Sequence, residues 1–312
     1  MAILRSPGAG ITVRGGRGPD VSEGGFSHAI VGRDLEYAMY GNATGSASEA
    51  APKKVTVPDI RARKGPGPAL AVVTAYDYTM ARLVDAAGVD IILVGDSLGM
   101  VVQGWSNTLP VTLDDICYHG RAVARGTTRA HLVGDLPFMS YQVSPDQAVE
   151  SAGKLMKDGA FESVKLEGGE VVAEQVARIV RAGIPVMGHV GLLPQSVHAL
   201  GGFKVQGRSA DARAKIVADA RALEAAGVYA IVLEAIPPEV AQEITRSSGV
   251  PTIGIGAGGQ CDGQVLVCTD LLGMTRDHAP RFARRYAEVG DMVIDAVRRY
   301  VDDVRSGAFP SC

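Results

Sequence analysis

Cysteine is scarce in this chain, and its four copies are scattered, at positions 117, 261, 268 and 312, with no CxxC pair. That spacing excludes a compact zinc knuckle and a dense disulfide framework, so reduced thiols in a cytoplasmic protein are the plain expectation. Charge of one sign is also lacking. The 31 Lys and Arg nearly balance 34 Asp and Glu, for a formal net charge of -3, which offers no net-charge argument for nucleic acid or an anionic membrane as partner. No run approaches roughly 18 apolar residues without a charge, so no spanning helix is expected. The N-terminal stretch lacks the apolar core of a secretory signal. Small molecules and further copies of the subunit are the partners that remain.

Apolar residues make up 46% of the 312, and there are 39 glycines; this is material for a large core with many tight turns. Residues 1–54 are rich in Gly, Ser and Ala without a sustained period and read as a flexible N-terminal extension. A rhythm begins near Leu70. Eight short β-rich apolar runs follow: ALAVVTAYD (69–77), DIILVGD (90–96), AHLVGDLP (130–137), ESVKLEGG (162–169), PVMGHVG (185–191), YAIVLEA (229–235), PTIGIGAG (251–258) and QVLVCTDLLG (264–273). Between them lie Ala-rich segments of helical period, one opened by Ser144-Pro145 and several closed by glycines at 159, 183, 227 and 249. Strand, capped helix and glycine turn in repetition predict a (β/α)8 TIM barrel over residues 55–312. A long amphipathic segment near the C-terminus is expected to close that barrel and to extend into a subunit contact. The glycine cluster at 254–259 follows the seventh run, whereas a dinucleotide-binding fingerprint belongs after the first.

Active sites of such barrels lie at the C-terminal ends of the strands. Polar residues collect there: Asp77, Asp96, Asp135, Glu167, His189, Glu234 and Asp270. Asp96, Asp135 and Glu167 come from neighbouring strands, and carboxylates that close repel unless a cation sits among them. Oxygen donors suit Mg²⁺, or Mn²⁺, over zinc. Such a cation fits an α-keto acid, whose adjacent carbon it acidifies. Glu234, after the apolar run AIVL, is the expected base. Lys165 shares the inward face of the fourth strand with Glu167 by the period of two and could neutralise oxygen charge.

Several segments, taken together and in order, resemble the ketopantoate hydroxymethyltransferase family: TAYDYTMA (74–81), VGDSLGMVVQG (94–104), GDLPFMSYQ (134–142), VKLEGG (164–169), PVMGHVGLLPQSVHALGGFKVQGR (185–208), IVLEAIP (231–237) and CDGQVLVCTDLLGM (261–274). The resemblance implies a barrel that transfers a hydroxymethyl group from 5,10-methylenetetrahydrofolate, its co-substrate, to 3-methyl-2-oxobutanoate. The product is 2-dehydropantoate, formed through a metal-bound enolate in pantothenate biosynthesis. It implies Asp96, Asp135 and Glu167 as the metal set and Glu234 as the catalytic base. Asp96, Ser97, Asp135, Lys165 and His189 would bind substrate, in a homo-oligomer as large as a decamer. Leu193 and Thr269 stand where many relatives carry threonine and histidine. Two rival readings are a metal-dependent enzyme of the phosphoenolpyruvate mutase and isocitrate lyase type, and a barrel without catalysis acting as a scaffold.

Overall fold

Strands that are apolar at nearly every position must be covered on both faces, and in this chain they roll into a ring. The computed structural model describes residues 53–276 and 280–310. Of the extension expected over 1–54, residues 1–52 lie outside the described residues. The eight strands are β1 Leu70–Thr74, β2 Ile91–Val94, β3 His131–Asp135, β4 Ser163–Glu167, β5 Val186–Gly191, β6 Ala230–Glu234, β7 Thr252–Ile255 and β8 Gly263–Leu266. Each is parallel to the next, and β8 returns to β1 with Leu70 opposite Gly263, so the sheet is a closed barrel. Every strand falls inside one of the eight runs read from the sequence except β8, which begins one residue earlier, at Gly263. The fold is a (β/α)8 barrel.

The helices are α1 Tyr78–Ala86, α2 Leu113–Gly126, α3 Pro145–Asp158, α4 Ala173–Arg181, α5 Ala210–Ala226, α6 Pro238–Ser247 and α7 Val289–Ser306. Their ends follow local chemistry. Ser144 caps α3 by accepting from Gln147 N, with Pro145 in the first turn. Gly227 ends α5 in the left-handed region at φ 100°. Asp77, one of the rim acids of the sequence, caps α1 through Met80 N. Its role is structural. No described helix is long and apolar enough to cross a membrane.

Two cores result. Outward-facing residues such as Ile92, Leu132, Val164, Leu166, Ile231 and Leu233 meet the helices. Inward-facing Leu70, Val72, Ile91, Leu93, Val133, Met187, Val232, Ile253 and Val265 fill the ring, and Ile60, on a short helix Val57–Arg61, plugs its lower mouth. The lowest layer is polar: His131 Nε2 lies 2.9 Å from Ser163 Oγ, which lies 2.9 Å from Tyr229 OH. Inward positions on β3 and β4 become polar again at the top. There the strands deliver Asp135, Lys165 and Glu167.

Two expectations need correction. No helix joins β7 to β8; residues 256–262 make the return alone. An extended chain covers about 3.3 Å per residue, so these few residues suffice to recross a four-residue strand. The late glycine cluster serves this return: Gly256 and Gly258 turn the chain at φ 63° and 82°, and a Cβ on Gly258 would come 2.8 Å from Pro238. The second correction concerns α7, which does not close the barrel. None of its residues is buried, and its apolar stripe of Val293, Val297, Tyr300 and Val304 is exposed. Amphipathic spacing predicts an apolar face but not the surface that covers it.

Candidate active site

Strand register brings the polar residues into one cluster at the C-terminal mouth. Asp135 is level with Lys165 across β3 and β4, and Glu167 is level with His189 across β4 and β5. Asp96 lies just beyond the end of β2, in the turn that enters a short helix Leu98–Val101. All five side chains are buried. Glu234, at the end of β6, keeps 18% of its side chain exposed and so faces the open side. Ser97, beside Asp96, has its hydroxyl 2.8 Å from Tyr76 OH. The predicted site residues therefore occupy one place. Asp270 does not join them as a strand end: β8 stops at Leu266, and Asp270 sits in a helical turn, where its carboxylate accepts from Thr275 Oγ1.

Lys165 Nζ stands 3.0 Å from Asp135 Oδ1. Burial opposes its charge, but Asp135, Glu167 and Asp96 outweigh burial and raise its pKa. It remains an ammonium. Its Nζ is also 3.3 Å from His189 Nδ1, and an ammonium has no acceptor, so Nδ1 must be the bare nitrogen. Burial, followed by Lys165, lowers the His189 pKa. The ring is therefore neutral with its proton on Nε2, which lies 3.3 Å from Glu234 Oε2 but is not aligned for a hydrogen bond. Burial and then Asp135 raise the Asp96 pKa, while burial and then Asp96 raise that of Glu167.

Three ionised acids against one ammonium would leave two negative charges in a buried site. Among the described residues, no three His, Cys, Asp or Glu side chains are already drawn together as a metal-binding group. The donor chemistry nevertheless fits a hard divalent cation. The donors are carboxylate oxygens, which when ionised leave two surplus charges, and Asp135 Oδ1, buried, has the Lys165 ammonium 3.0 Å away to share with a cation.

Sequence reading passed over two residues that the fold brings into this cluster. Gln195, in the loop after β5, reaches Asp96 Oδ2 through Nε2 at 2.9 Å and Glu167 Oε2 through its backbone N at 3.1 Å. Tyr141, fully buried, donates toward Gln195 Oε1 at 2.8 Å. Both lie within segments that carry the family resemblance, but neither sits at a strand end. Their only signal was membership of those segments.

A closed parallel barrel with buried carboxylates and a lysine at its C-terminal mouth defines the class: a (β/α)8-barrel enzyme. At the level of fold it is similar to the structures of phosphonopyruvate hydrolase (TM-score 0.55, 15% identity, covering 83% of this chain and 92% of the other) and of phosphoenolpyruvate phosphomutase from Streptomyces platensis subsp. rosaceus (TM-score 0.54, 14% identity, 80% and 88%). Sequence resolves the class further. The chain belongs to the ketopantoate hydroxymethyltransferase family, whose profile matches residues 54–312. The 3-methyl-2-oxobutanoate hydroxymethyltransferase of Oleidesulfovibrio alaskensis is 57% identical over 264 residues, covering 85% of this chain and 91% of the relative. That of Syntrophotalea carbinolica is 52% identical over 258 residues, covering 83% and 97%.

Proposed function

We propose that the chain transfers a hydroxymethyl group from 5,10-methylenetetrahydrofolate to 3-methyl-2-oxobutanoate, giving 2-dehydropantoate, the reaction that belongs to pantothenate biosynthesis. The observation that carries this reading is the convergence of Asp96, Asp135 and Glu167 around Lys165, with Glu234 on the open side. Mg²⁺, or Mn²⁺ in its place, would be held by Asp96, Asp135 and Glu167, and it would polarise the keto acid and acidify its C3 hydrogen. Asp96 and Ser97 hold the keto acid from the β2 turn. Glu234 takes the C3 proton, and the carbon it leaves bonds to the one-carbon unit of the folate, whose bonds to the two folate nitrogens break while water supplies the hydroxyl oxygen and tetrahydrofolate leaves with the protons. Lys165 balances the negative charge that develops on the keto oxygen. His189, neutral, keeps its Nε2 on the side of Glu234, 3.3 Å from Oε2. No covalent link to Lys165 is needed, because its carboxylate neighbours keep it protonated.

The test is a steady-state assay of purified protein with keto acid and methylenetetrahydrofolate, with and without Mg²⁺. Product formation that requires the cation is expected; full activity in EDTA, or none with both substrates and Mg²⁺ present, overturns the reading. The enzyme works as a homo-oligomer, up to a decamer, in the cytoplasm. The bare apolar stripe of α7 supports the assembly, and the free thiols of Cys117, Cys261 and Cys268 fit the compartment.

A further inference from the structure

Each carboxylate has two oxygens, and in a crowded cluster something must decide which one faces the pocket. Here N–H groups behind the acids take one oxygen from each. Asp135 Oδ2 accepts from Asp96 N at 3.2 Å, Asp96 Oδ2 from Gln195 Nε2 at 2.9 Å, and Glu167 Oε2 from Gln195 N at 3.1 Å. Two of the three donors belong to one buried residue. The amide of Gln195 has nothing left for a ligand. Its other Nε2 hydrogen goes to Leu136 O at 3.0 Å, and its Oε1 accepts from Tyr141 OH at 2.8 Å and Gln142 Nε2 at 3.1 Å. Tyr141 OH in turn accepts from Glu167 N at 3.2 Å, which ties the clamp to β4. The oxygens left over are Asp96 Oδ1, Asp135 Oδ1 and Glu167 Oε1. Of these, Asp135 Oδ1 faces the Lys165 ammonium at 3.0 Å.

We propose that Gln195, held in place by Tyr141, is the positioning residue of the acid cluster, turning one oxygen of Asp96 and one of Glu167 toward a shared divalent cation. This rests on the reading of those acids as a metal set. Side-chain chemistry explains the choice of residue. A glutamate at 195 would set a fourth carboxylate against Asp96, an asparagine would be a methylene short, and a methionine would fill the space without a donor.

The test follows free Mn²⁺ by electron paramagnetic resonance while it is titrated with wild type, Gln195→Met and Tyr141→Phe, alongside melting temperatures and the KM and kcat for keto acid C3-proton exchange. Gln195→Met is expected to bind Mn²⁺ about 10- to 100-fold more weakly. Its melting temperature should hold, and its KM should rise by a larger factor than its kcat falls at saturating Mn²⁺. Tyr141→Phe should show a smaller loss in the same direction. Wild-type Mn²⁺ affinity in a folded Gln195→Met overturns the proposal and leaves the metal reading standing, whereas a wild type that binds no Mn²⁺ overturns both. Should Gln195→Met not fold, Tyr141→Phe decides, because it leaves both donors of Gln195 in place; unchanged Mn²⁺ affinity in that variant overturns the clamp.

Discussion

The wall of the barrel from β3 to β5 and the wall from β7 through β8 to β1 use the same strand chemistry but are finished differently. Every residue of β3 and β4 is buried, and β5 is buried up to Gly191. Helices α2 to α5 cover them from outside. On the other wall, β7 runs into β8 without a helix, Ala71 of β1 and Gln264 of β8 are exposed, and α7 buries none of its own residues. The doubly covered wall is the one that carries Asp135, Lys165, Glu167 and His189. Side chains that must hold charge in fixed relation stand where packing leaves them least freedom. The bare wall has the surface available to another copy.

The largest effect that would sharpen this contrast is chemical. Glu234→Gln should lower C3-proton exchange of the keto acid about 10²- to 10⁴-fold, with Mg²⁺ and substrate binding retained, as read by exchange kinetics and calorimetry. Unchanged exchange removes Glu234 from the base role. Next come two changes, one inside the covered wall and one where α1 meets the entry to β3. Phe161 lies against Gly120, Gly134 and Gly159, where an added Cβ would fall within 2.7 Å of its ring. Truncation to Ala should cost about 3–5 kcal/mol in urea unfolding. Asp85, near the end of α1, accepts from the backbone N of Thr128, Arg129 and Ala130 and from Thr128 Oγ1. Asp85→Ala should cost roughly 2–3 kcal/mol by leaving those donors unpaired. Losses below 1 kcal/mol at both sites would erase the distinction between the walls.

A smaller effect depends on pH. Burial lowers the His131 pKa from 6.5 to about 4, against the opposing pull of Glu162 and with the added push of Lys54. The unfolded chain binds this proton below pH 6.5, whereas the folded chain refuses it until about pH 4. Stability from this group is therefore complete above that window and falls as pH drops through it. Between about pH 7.5 and about pH 5 the loss should be ~2 kcal/mol in wild type and absent in His131→Gln. Equal pH slopes in the two proteins would reject it. The smallest effect on the folded subunit is expected on the bare side. Val297→Asp on α7 should change subunit stability by less than ~0.5 kcal/mol. It should nevertheless shift sedimentation toward smaller species; an unchanged assembly would remove α7 from the contact.

The covered wall was also the part most legible in the sequence. Parallel strands buried on both faces read as continuous apolar runs, and a period of two placed Lys165 and Glu167 on one face without further help. Asp96 was also found, although the strand stops before it. What the sequence did not disclose depends on tertiary partners. Gln195 and Tyr141 come from loops, where no periodicity marks an inward side chain. Asp270 looked like the end of a strand because Val267 and Cys268 continue the apolar run, yet the chain has already turned helical. The spacing of α7 announced an apolar face, and nothing local says where such a face goes. The missing helix after β7 was masked by a glycine cluster that reads as a turn in either arrangement.

The pairing of β8 with β1 has a consequence for how the molecule is made. Leu70 and Gly263 sit side by side, and Cys268 N donates to Thr74 Oγ1 at 3.0 Å across almost the whole length of the barrel sequence. Contacts so remote along the chain carry the largest loop-closure entropy of the fold and form last and slowly. During synthesis, the outer edges of β1 and β7 have no strand to pair with until β8 has left the ribosome. A truncation just before β8 would keep every residue of the acid cluster and the base, yet leave a sheet prone to pair with its neighbours instead of with itself.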